Sequence, residues 1–175
     1  MSMFPIASYT FTSDGGGFSF TNVPQVYEHL RIHFVSRGTA GFSGSFLSNY
    51  IYFNTNDGAN YRHGWNFVGN NAAGSAGGFA SSSGTYALYP DSTRAANIFG
   101  AGIVDICDYS NTSKFKTAKY FGGTDVNGAG SIMIGEFTYS SLNAITQINI
   151  SGDGNYAAGS RFDLYGIGKS LDVGS

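Results

Sequence analysis

Apolar and polar side chains alternate along several short stretches of the chain, and the alternation is cleanest between residues 29 and 35. The apolar positions on one face are Leu30, Ile32 and Phe34, and the opposite face carries His29, Arg31, His33 and Val35. A period of two is typical of a β-strand that packs one face on a core and turns the other toward solvent. We therefore predict a strand here, with its even-numbered side chains buried.

The same period returns near the C-terminus, over residues 161–168. One face takes Phe162 and Leu164, and the other takes Asp163, Tyr165 and Ile167. Because both faces carry apolar groups, we expect this strand not to lie exposed, and we take it as the closing strand of a β-sandwich. The preceding residues 152–155 predict a turn, since Gly and Asn tolerate positive φ and Asp bonds its own backbone. Gly166 and Gly168 leave room for a close neighbour or a bulge.

Similar runs between Gly, Pro and Asn residues predict further strands at 6–11, 18–21, 49–54, 61–67, 86–89, 97–109, 114–121, 131–139 and 145–150. About ten short strands at regular spacing are the pattern of a sandwich or barrel. No window of about 12 residues shows helical periodicity, although residues 140–144 have room for one helical turn. We predict an all-β fold, a two-sheet antiparallel β-sandwich of the jelly-roll type, as a single domain over residues 1–175.

Two connections carry specific signals. Asp57-Gly58 is a turn signal that predicts a hairpin between the strands at 49–54 and 61–67. Residues 69–84 are almost all Gly, Ala, Ser and Asn. Such a segment predicts a long loop, either flexible or docked on another surface. The strand at 114–121 is expected to pair with the one at 97–109.

Composition narrows the classes of function. The net charge is −2 and no basic block is present, which gives no electrostatic footprint for nucleic acid. No run approaches the roughly 20 apolar residues of a membrane helix, and the N-terminus does not look like a secretion signal, so we expect synthesis in a cytoplasm. Only 11% of residues are charged. A surface so poor in charge suggests cover by copies of the chain or by a larger assembly. Cys107 is the single cysteine and reads as a small buried apolar residue.

Candidate chemical sites are few. His29 and His33 lie four residues apart, about 13 Å along a strand, so they cannot bind one metal ion from that strand. His63 would have to approach one of them from elsewhere. Asp105 and Asp108 have an odd spacing that puts them on opposite faces, which is poor geometry for an acid–base pair. We therefore expect no catalytic residue, no cofactor and no metal site.

An aromatic group stands out on the predicted hairpin, formed by Tyr50, Tyr52, Tyr61 and Trp65. If these rings are exposed, they are candidates for stacking on a sugar or contacting a protein partner. If they are buried, they form a second layer of the core or a subunit interface. The sequence leaves both readings open.

Several segments resemble, in order, a group of small structural proteins from the virions of tailed bacteriophages. They are residues 20–32, Asn54 with 60–63, 105–117, 144–148 and 154–167. The Leu-Tyr-Gly-Ile sequence at 164–167 is the most recognisable of them. The resemblance covers most of the chain.

The resemblance implies a role on the virion surface without catalysis, as a capsid decoration or cement protein, a head fibre or a tail-fibre domain. A stand-alone sandwich without a shaft fits the capsid best. The expected partners are the major capsid protein and copies of the chain itself, as a homotrimer or else a dimer. A fibre module that binds a host receptor or surface glycan is the alternative.

Overall fold

The computed structural model describes residues 2–41, 46–55, 61–69, 72–81, 83–125 and 130–168. Within these ranges there is no α-helix, and the chain forms twelve β-strands. In chain order they are β1 (Met3–Thr10), β2 (Gly15–Phe20), β3 (His29–Ser36), β4 (Phe46–Phe53), β5 (Tyr61–Gly69), β6 (Ala72–Ser81), β7 (Gly84–Pro90), β8 (Gly100–Ile106), β9 (Lys116–Asp125), β10 (Gly130–Tyr139), β11 (Ile148–Tyr156) and β12 (Arg161–Ile167).

The strands form two antiparallel sheets of unequal size. The larger sheet has the order β1-β12-β3-β8-β9-β10-β5-β6, and the smaller sheet has the order β2-β11-β4-β7. The predicted all-β, two-sheet antiparallel sandwich is confirmed. The pairs β5–β6 and β9–β10 make up the half of the larger sheet beyond β8. The order of the other strands is compatible with a jelly roll, and that finer connectivity stays a prediction.

The two strands with the clearest alternation behave as predicted. On β3, the side chains of Leu30, Ile32 and Phe34 are buried, while Val35 on the other face is 43% exposed. β12 lies between β1 and β3, so it is an interior strand of its sheet. The predicted pairing of residues 114–121 with 97–109 is also confirmed, as the antiparallel pair β8–β9.

The space between the sheets is filled largely by aromatic rings. The fully buried tyrosines are Tyr61, Tyr86, Tyr89, Tyr109, Tyr139 and Tyr156. A buried phenol usually finds a partner for its hydroxyl group. The Tyr156 hydroxyl lies 2.6 Å from the Ser151 carbonyl oxygen and 2.9 Å from Asn49 Oδ1, whereas the hydroxyls of Tyr86 and Tyr139 have no hydrogen-bond partner among the described residues. The Asn49 amide in turn donates to the carbonyl of Ala87 at 3.1 Å. Polar groups of both phenol and amide are thereby satisfied inside the core.

The predicted loop at 69–84 is wrong for most of its length. Residues 72–81 form β6, which pairs with β5 along its whole length, with one register shift at His63/Gly64. Gly, Ala and Ser carry no clear alternation of polarity, so the sequence gives no period from which to recognise the strand. Backbone pairing with β5 makes it a strand. Gly69 ends β5 and Gly84 begins β7, Ser83 lies between β6 and β7, and residues 70, 71 and 82 lie outside the described ranges.

The predicted hairpin between β4 and β5 is also wrong. β4 pairs with β11 and β7 in the smaller sheet, whereas β5 pairs with β10 and β6 in the larger one. The end of β4 meets the start of β5 in the core, where the rings of Phe53 and Tyr61 have centroids 6.0 Å apart. Each strand turns an apolar face toward the core, and burial of that face between the two sheets removes it from water. The Asp57-Gly58 signal lies outside the described ranges.

Two smaller expectations fail as well. Residues 152–155 belong to β11, where the register against β2 shifts between Ser151 and Tyr156. The turn before β12 comes later, where the Ser160 N–H donates to the Ala157 carbonyl at 3.0 Å and Gly159 has φ of 90°. Residues 140–144 contain no helical turn.

Candidate interaction surface

The outer face of the larger sheet, turned away from the smaller sheet, carries a row of alternating charges. Arg31 on β3 lies opposite Asp105 on β8, and Asp105 lies opposite Lys119 on β9. Lys119 in turn lies opposite Glu136 on β10. Because directly opposed residues in an antiparallel sheet point to the same face, these four side chains form one line across four neighbouring strands. We call this line the charged row.

The first pair of the charged row has well-defined geometry. Arg31 Nε donates to Asp105 Oδ1 at 2.6 Å, and Nη2 donates to Oδ2 at 2.7 Å. This bidentate hydrogen bond to Asp105 raises the pKa of the guanidinium group of Arg31. Both side chains are about one-third exposed, at 32% and 34%. The pair therefore fixes the direction of two charges at the surface and adds only about 1 kcal/mol or less to stability.

An apolar patch lies beside the charged row on the same face. Ile103 on β8 opposes Phe121 on β9, which opposes Ile134 on β10. In the next row, Ile132 on β10 opposes Val68 on β5. Phe121, Ile132, Ile134 and Val68 are 50%, 56%, 55% and 63% exposed. Contiguous apolar groups of this kind, bordered by charges, mark interaction surfaces more often than isolated exposed residues do.

Between the charged row and the apolar patch runs a shallow groove of about 750 Å³. Its walls include Asp105, Lys119, Phe121, Ile134 and Glu136. Glycines shape its β5–β6 end, because Gly64 opposes Glu136 and Gly77 opposes Gly64, and neither adds a side chain. The groove is therefore open and mixed in character, with an apolar wall on one side and charges on the other.

The four aromatic residues singled out from the sequence do not come together. Tyr50 and Tyr52 lie on β4 in the smaller sheet, whereas Tyr61 and Trp65 lie on β5 in the larger sheet. Tyr61 is fully buried, and its hydroxyl oxygen accepts a hydrogen bond from the Phe53 N–H at 2.6 Å. The other three are partly buried. No single stacking platform is formed by the set.

Tyr50 and Trp65 have separate surroundings. The Tyr50 hydroxyl donates to Asp153, whose carboxylate also accepts the Ser48 N–H at 2.7 Å. Burial, with Asp153 adding to it, raises the pKa of Tyr50 to about 12. Trp65 borders the groove, but it packs against the core with Phe67, at a ring distance of 5.6 Å. Tyr50 is therefore tied into its own sheet, and Trp65 supports the groove from the core side.

His63 on β5 lies apart from His29 and His33 on β3. β3 and β5 are separated by β8, β9 and β10, so His63 does not approach His29 or His33. Burial lowers the pKa of His63. His33 lies on the outer face next to Tyr165, with ring centroids 5.0 Å apart.

One group of potential ligand atoms does occur, formed by Glu28, His29 and Asp108 within 4.8 Å of one another. His29 Nδ1 accepts the N–H of Asp108 at 3.0 Å, so that lone pair is in use. The ammonium group of Lys114 lies 2.6 Å from Asp108 Oδ2 and neutralises that carboxylate. These contacts account for the cluster as a hydrogen-bonded ion group, so we assign no metal to it. Nearby Cys107 is partly buried, and burial raises the pKa of its thiol.

The residues of the apolar patch were missed in the sequence, although a signal was present. In β10, Ile132 and Ile134 stand on the face opposite to Met133 and Phe137. Because Met133 and Phe137 are buried, their face of β10 packs on the core, and the two isoleucines on the opposite face must point outward. A strand apolar on both faces is thus a marker for either an interior strand or a contact surface.

No protein-family model matches the chain, and neither the curated proteins nor the solved structures include a significant match. None of the described residues belongs to a helix long and apolar enough to span a membrane.

Proposed function

We propose that this protein is a non-enzymatic structural component of a phage virion, a capsid decoration or cement protein. In this role it binds the outer capsid surface and stabilises contacts between capsomers. The observation that carries the proposal is the apolar patch, in which four large side chains are at least half exposed on a rigid sheet. Such a surface fits a chain that works by binding other proteins.

The construction of this face supports an assembly role. Its side chains stand on hydrogen-bonded neighbouring strands, so little conformational freedom is lost when a partner covers them. The charged row beside the patch supplies orientation, because complementary charges favour one docking register over others. A rigid apolar surface with a charged margin thus suits a contact repeated many times in one particle.

Multiplicity makes a modest interface sufficient. A protein that decorates a shell gains affinity from many copies arranged by the symmetry of the shell. The proposed partners are the major capsid protein and further copies of this chain. A net charge of only −2 and a low charged fraction are in keeping with a surface that is largely covered. The homotrimer remains a prediction.

The test is to locate the chain in purified virions by cryo-electron microscopy. We expect density over the head lattice, at a copy number that matches the capsid symmetry. A few copies per particle, or density confined to the tail, would rule the decoration role out.

A binding assay on empty capsids identifies the surface. Ile134→Ser should lower capsid binding if this face contacts the capsid directly or through another copy. Leu142→Ser is the matched control, since Leu142 is 51% exposed but lies outside the apolar patch. Equal loss of binding in both variants would count against a specific role for the patch.

One observation favours an alternative, a receptor- or glycan-binding module of a fibre. The groove combines the aromatic ring of Phe121 with carboxylates of Asp105 and Glu136, which are groups that bind sugars by stacking and hydrogen bonding. Under this alternative, Glu136→Gln lowers adsorption to host cells while the melting temperature stays unchanged. Trp65→Ala is a weaker test, because Trp65 also packs against the core. Unchanged adsorption for Glu136→Gln would argue for the capsid role.

A further inference from the structure

We infer that the outer face of the larger sheet is where two copies of this chain associate, face to face, about a two-fold axis that runs parallel to the strands between β8 and β9. The inference rests on the proposed function only in taking this face as an assembly surface. It names the partner at that surface as a second copy of the chain. Its test needs no capsid component.

The position of the two-fold axis follows from the order of positive and negative side chains in the charged row. From β3 to β10 the row reads positive, negative, positive, negative, as Arg31, Asp105, Lys119 and Glu136. Rotation about an axis between β8 and β9 exchanges β8 with β9 and β3 with β10. The rotation therefore puts Asp105 opposite Lys119 of the second copy. It also puts Arg31 opposite Glu136 of the second copy, so all four charges of the row meet the opposite sign.

Other positions of the axis are poorer. An axis through β8 or through β9 places Asp105 or Lys119 against itself, which brings like charges together. An axis between β9 and β10 matches Lys119 with Glu136 but leaves Asp105 opposite Gly64, which has no side chain. Like charges that face each other across an interface oppose docking, so among these positions the row favours the axis between β8 and β9.

The same axis matches the apolar side chains in the neighbouring rows. In the first of these rows, Ile103 and Phe121 exchange places, so each isoleucine meets a phenylalanine of the second copy. In the second row, Val35 meets Ile132, and these side chains are 43% and 56% exposed in the single chain. Two pairs gain little: His33 against Ile134, and Arg161 on β12 against Val68 on β5.

Small residues lie beside the axis in the second of these rows. Ala101 on β8 opposes Gly123 on β9, and the rotation places each against the other in the second copy. At this end of the face the two sheets can therefore approach closely, whereas the larger side chains of the other two rows fill the space beside the rest of the axis. Sheets packed face to face keep strand directions within about 30° of each other, which an axis parallel to the strands allows.

The face is wide enough for a stable interface. The rotation matches the larger sheet with itself over its full width, and the strands from β1 to β6 make seven spacings of about 4.8 Å each, or about 34 Å across. A standard interface buries roughly 800 Å² on each partner, which corresponds to a patch about 30 Å wide. The larger sheet therefore offers the area that a dimer needs, without using the smaller sheet.

The first experiment is sedimentation velocity on the purified full-length chain at micromolar concentration. We expect a species of twice the 18.5 kDa chain mass. A monomer or a trimer under these conditions would overturn the inference.

Two charge-swapped variants then test the axis. The first is Lys119→Glu with Glu136→Lys, and the second is Arg31→Glu with Asp105→Arg. Each variant keeps the net charge and keeps opposite signs on the two residues that it swaps, while residues 105 and 119 of the same chain come to share a sign. Mixing the two variants controls for this effect, because the repulsion within each chain is the same whether the variants are separate or combined. Across the two-fold axis, however, each variant places like charges opposite each other. We expect each alone to bind itself at least tenfold more weakly than the wild type.

A mixture of the two variants supplies the decisive readout. In the mixed pair, every position of the charged row again meets the opposite sign, so dimers should return when the variants are combined. Circular dichroism of each variant checks that both fold, and Leu142→Ser serves as a surface control that should dimerise as the wild type does. If each variant dimerises alone, or if the mixture stays monomeric, the proposed axis is wrong.

Failure of this inference is distinguishable from failure of the proposed function. A monomeric chain that still covers the head lattice would overturn the dimer and leave the capsid role intact. A chain that dimerises and responds to the charge swaps as predicted, but is absent from the head lattice, would overturn the capsid role and leave the dimer intact.

Discussion

Gly166 on β12 lies directly against the ring of Tyr27. A Cβ added at residue 166 would stand only 2.5 Å from Cδ1 of that ring, well inside van der Waals contact. Tyr27 also stacks on Phe4, the residue paired with Gly166 on β1, at a ring distance of 5.7 Å. The ring thus covers a backbone position that only glycine can occupy without displacement of its neighbour.

Gly166→Ala should therefore lower the free energy of unfolding by about 1–3 kcal/mol, the usual cost of overpacking. The measurement is urea unfolding followed by fluorescence. Tyr27→Ala removes the ring, so the double variant should be more stable than the sum of the two single effects predicts. Gly77→Ala is the control, because its Cβ would lie at an ordinary 3.4 Å from Gly64 Cα and should change stability little. Strict additivity of Gly166→Ala and Tyr27→Ala would contradict the contact.

Asn54 ends β4 and ties it to the segment before β11. Its backbone has φ of 52°, a conformation that most residues avoid. Its Oδ1 accepts the N–H of Thr146 at 2.9 Å, and its Nδ2 donates to the Ala144 carbonyl at 3.0 Å. The side chain therefore combines a strained turn with hydrogen bonds to a distant part of the chain.

Three substitutions at residue 54 separate these effects. Asn54→Gly keeps the backbone conformation and loses the hydrogen bonds, at a cost of about 1–2 kcal/mol. Asn54→Ala adds about 1 kcal/mol or more of backbone strain. Asn54→Asp keeps the acceptor and loses the donor, so it should cost least. Thermal unfolding ranks the three, and equal stability of the Ala and Gly variants would show that strain contributes nothing.

Asp163 predicts a loss of stability in acid. Its carboxylate accepts hydrogen bonds from Arg161 Nε at 2.9 Å and from the Ser8 hydroxyl. The hydrogen bond from Arg161, with that from Ser8 in support, lowers the pKa of Asp163 below its usual 3.8. Since the folded state favours the ionised form, this contribution is complete above the unfolded pKa. It is lost as the pH falls through the lower folded pKa.

Asp163→Asn should accordingly lose up to about 1 kcal/mol of stability at pH 7, the range for a partly exposed ion pair. The difference between wild type and variant should shrink as the pH falls from 4 to 2. Urea unfolding at a series of pH values measures it. A difference that stays constant over this range would show that the ionised carboxylate contributes nothing specific.

Tyr50 predicts the opposite dependence, at alkaline pH. Its pKa is raised to about 12 by burial and by the hydrogen bond to Asp153. The unfolded phenol loses its proton near pH 10, so the stabilisation is complete below that pH and is lost as the pH rises through 12. Tyr50→Phe should be less stable than wild type by about 1 kcal/mol at pH 8. The gap should narrow between pH 10 and 12, and a gap that widens would contradict the assignment.

The sequence was most informative where one face of a strand meets water and the other meets the core. Leu30, Ile32 and Phe34 show this on β3, since alternation of polarity follows directly from the pleat. That β12 is not exposed was predictable for a related reason, because its apolar groups occupy both faces; its place between β1 and β3 was not. The room required at Gly166 was also visible in the sequence, although Tyr27 as the neighbour was not.

The features that could not be predicted from the sequence share a different physical cause. β6 forms through pairing with β5, and its Gly, Ala and Ser residues carry no local pattern. β4 and β5 are close in the chain, but pairing between distant segments places them in different sheets. The candidate surface depends on register across β8, β9 and β10, which brings Ile103, Phe121 and Ile134 into line. Register between strands of this kind cannot be deduced from the pattern of any single strand.

The antiparallel pairing of β1 with β12 has a mechanical consequence. Met3 pairs with Ile167 at one end of this ladder, and Thr10 pairs with Arg161 at the other. A force that pulls residues 3 and 167 apart loads the hydrogen bonds one after another, as in unzipping. A force applied between residues 10 and 167 loads them together, in shear. The edge of the larger sheet formed by β1 and β12 therefore separates easily under a force applied at residues 3 and 167 and resists a force applied at residues 10 and 167. The residue at which a neighbouring protein is attached decides which of the two responses occurs.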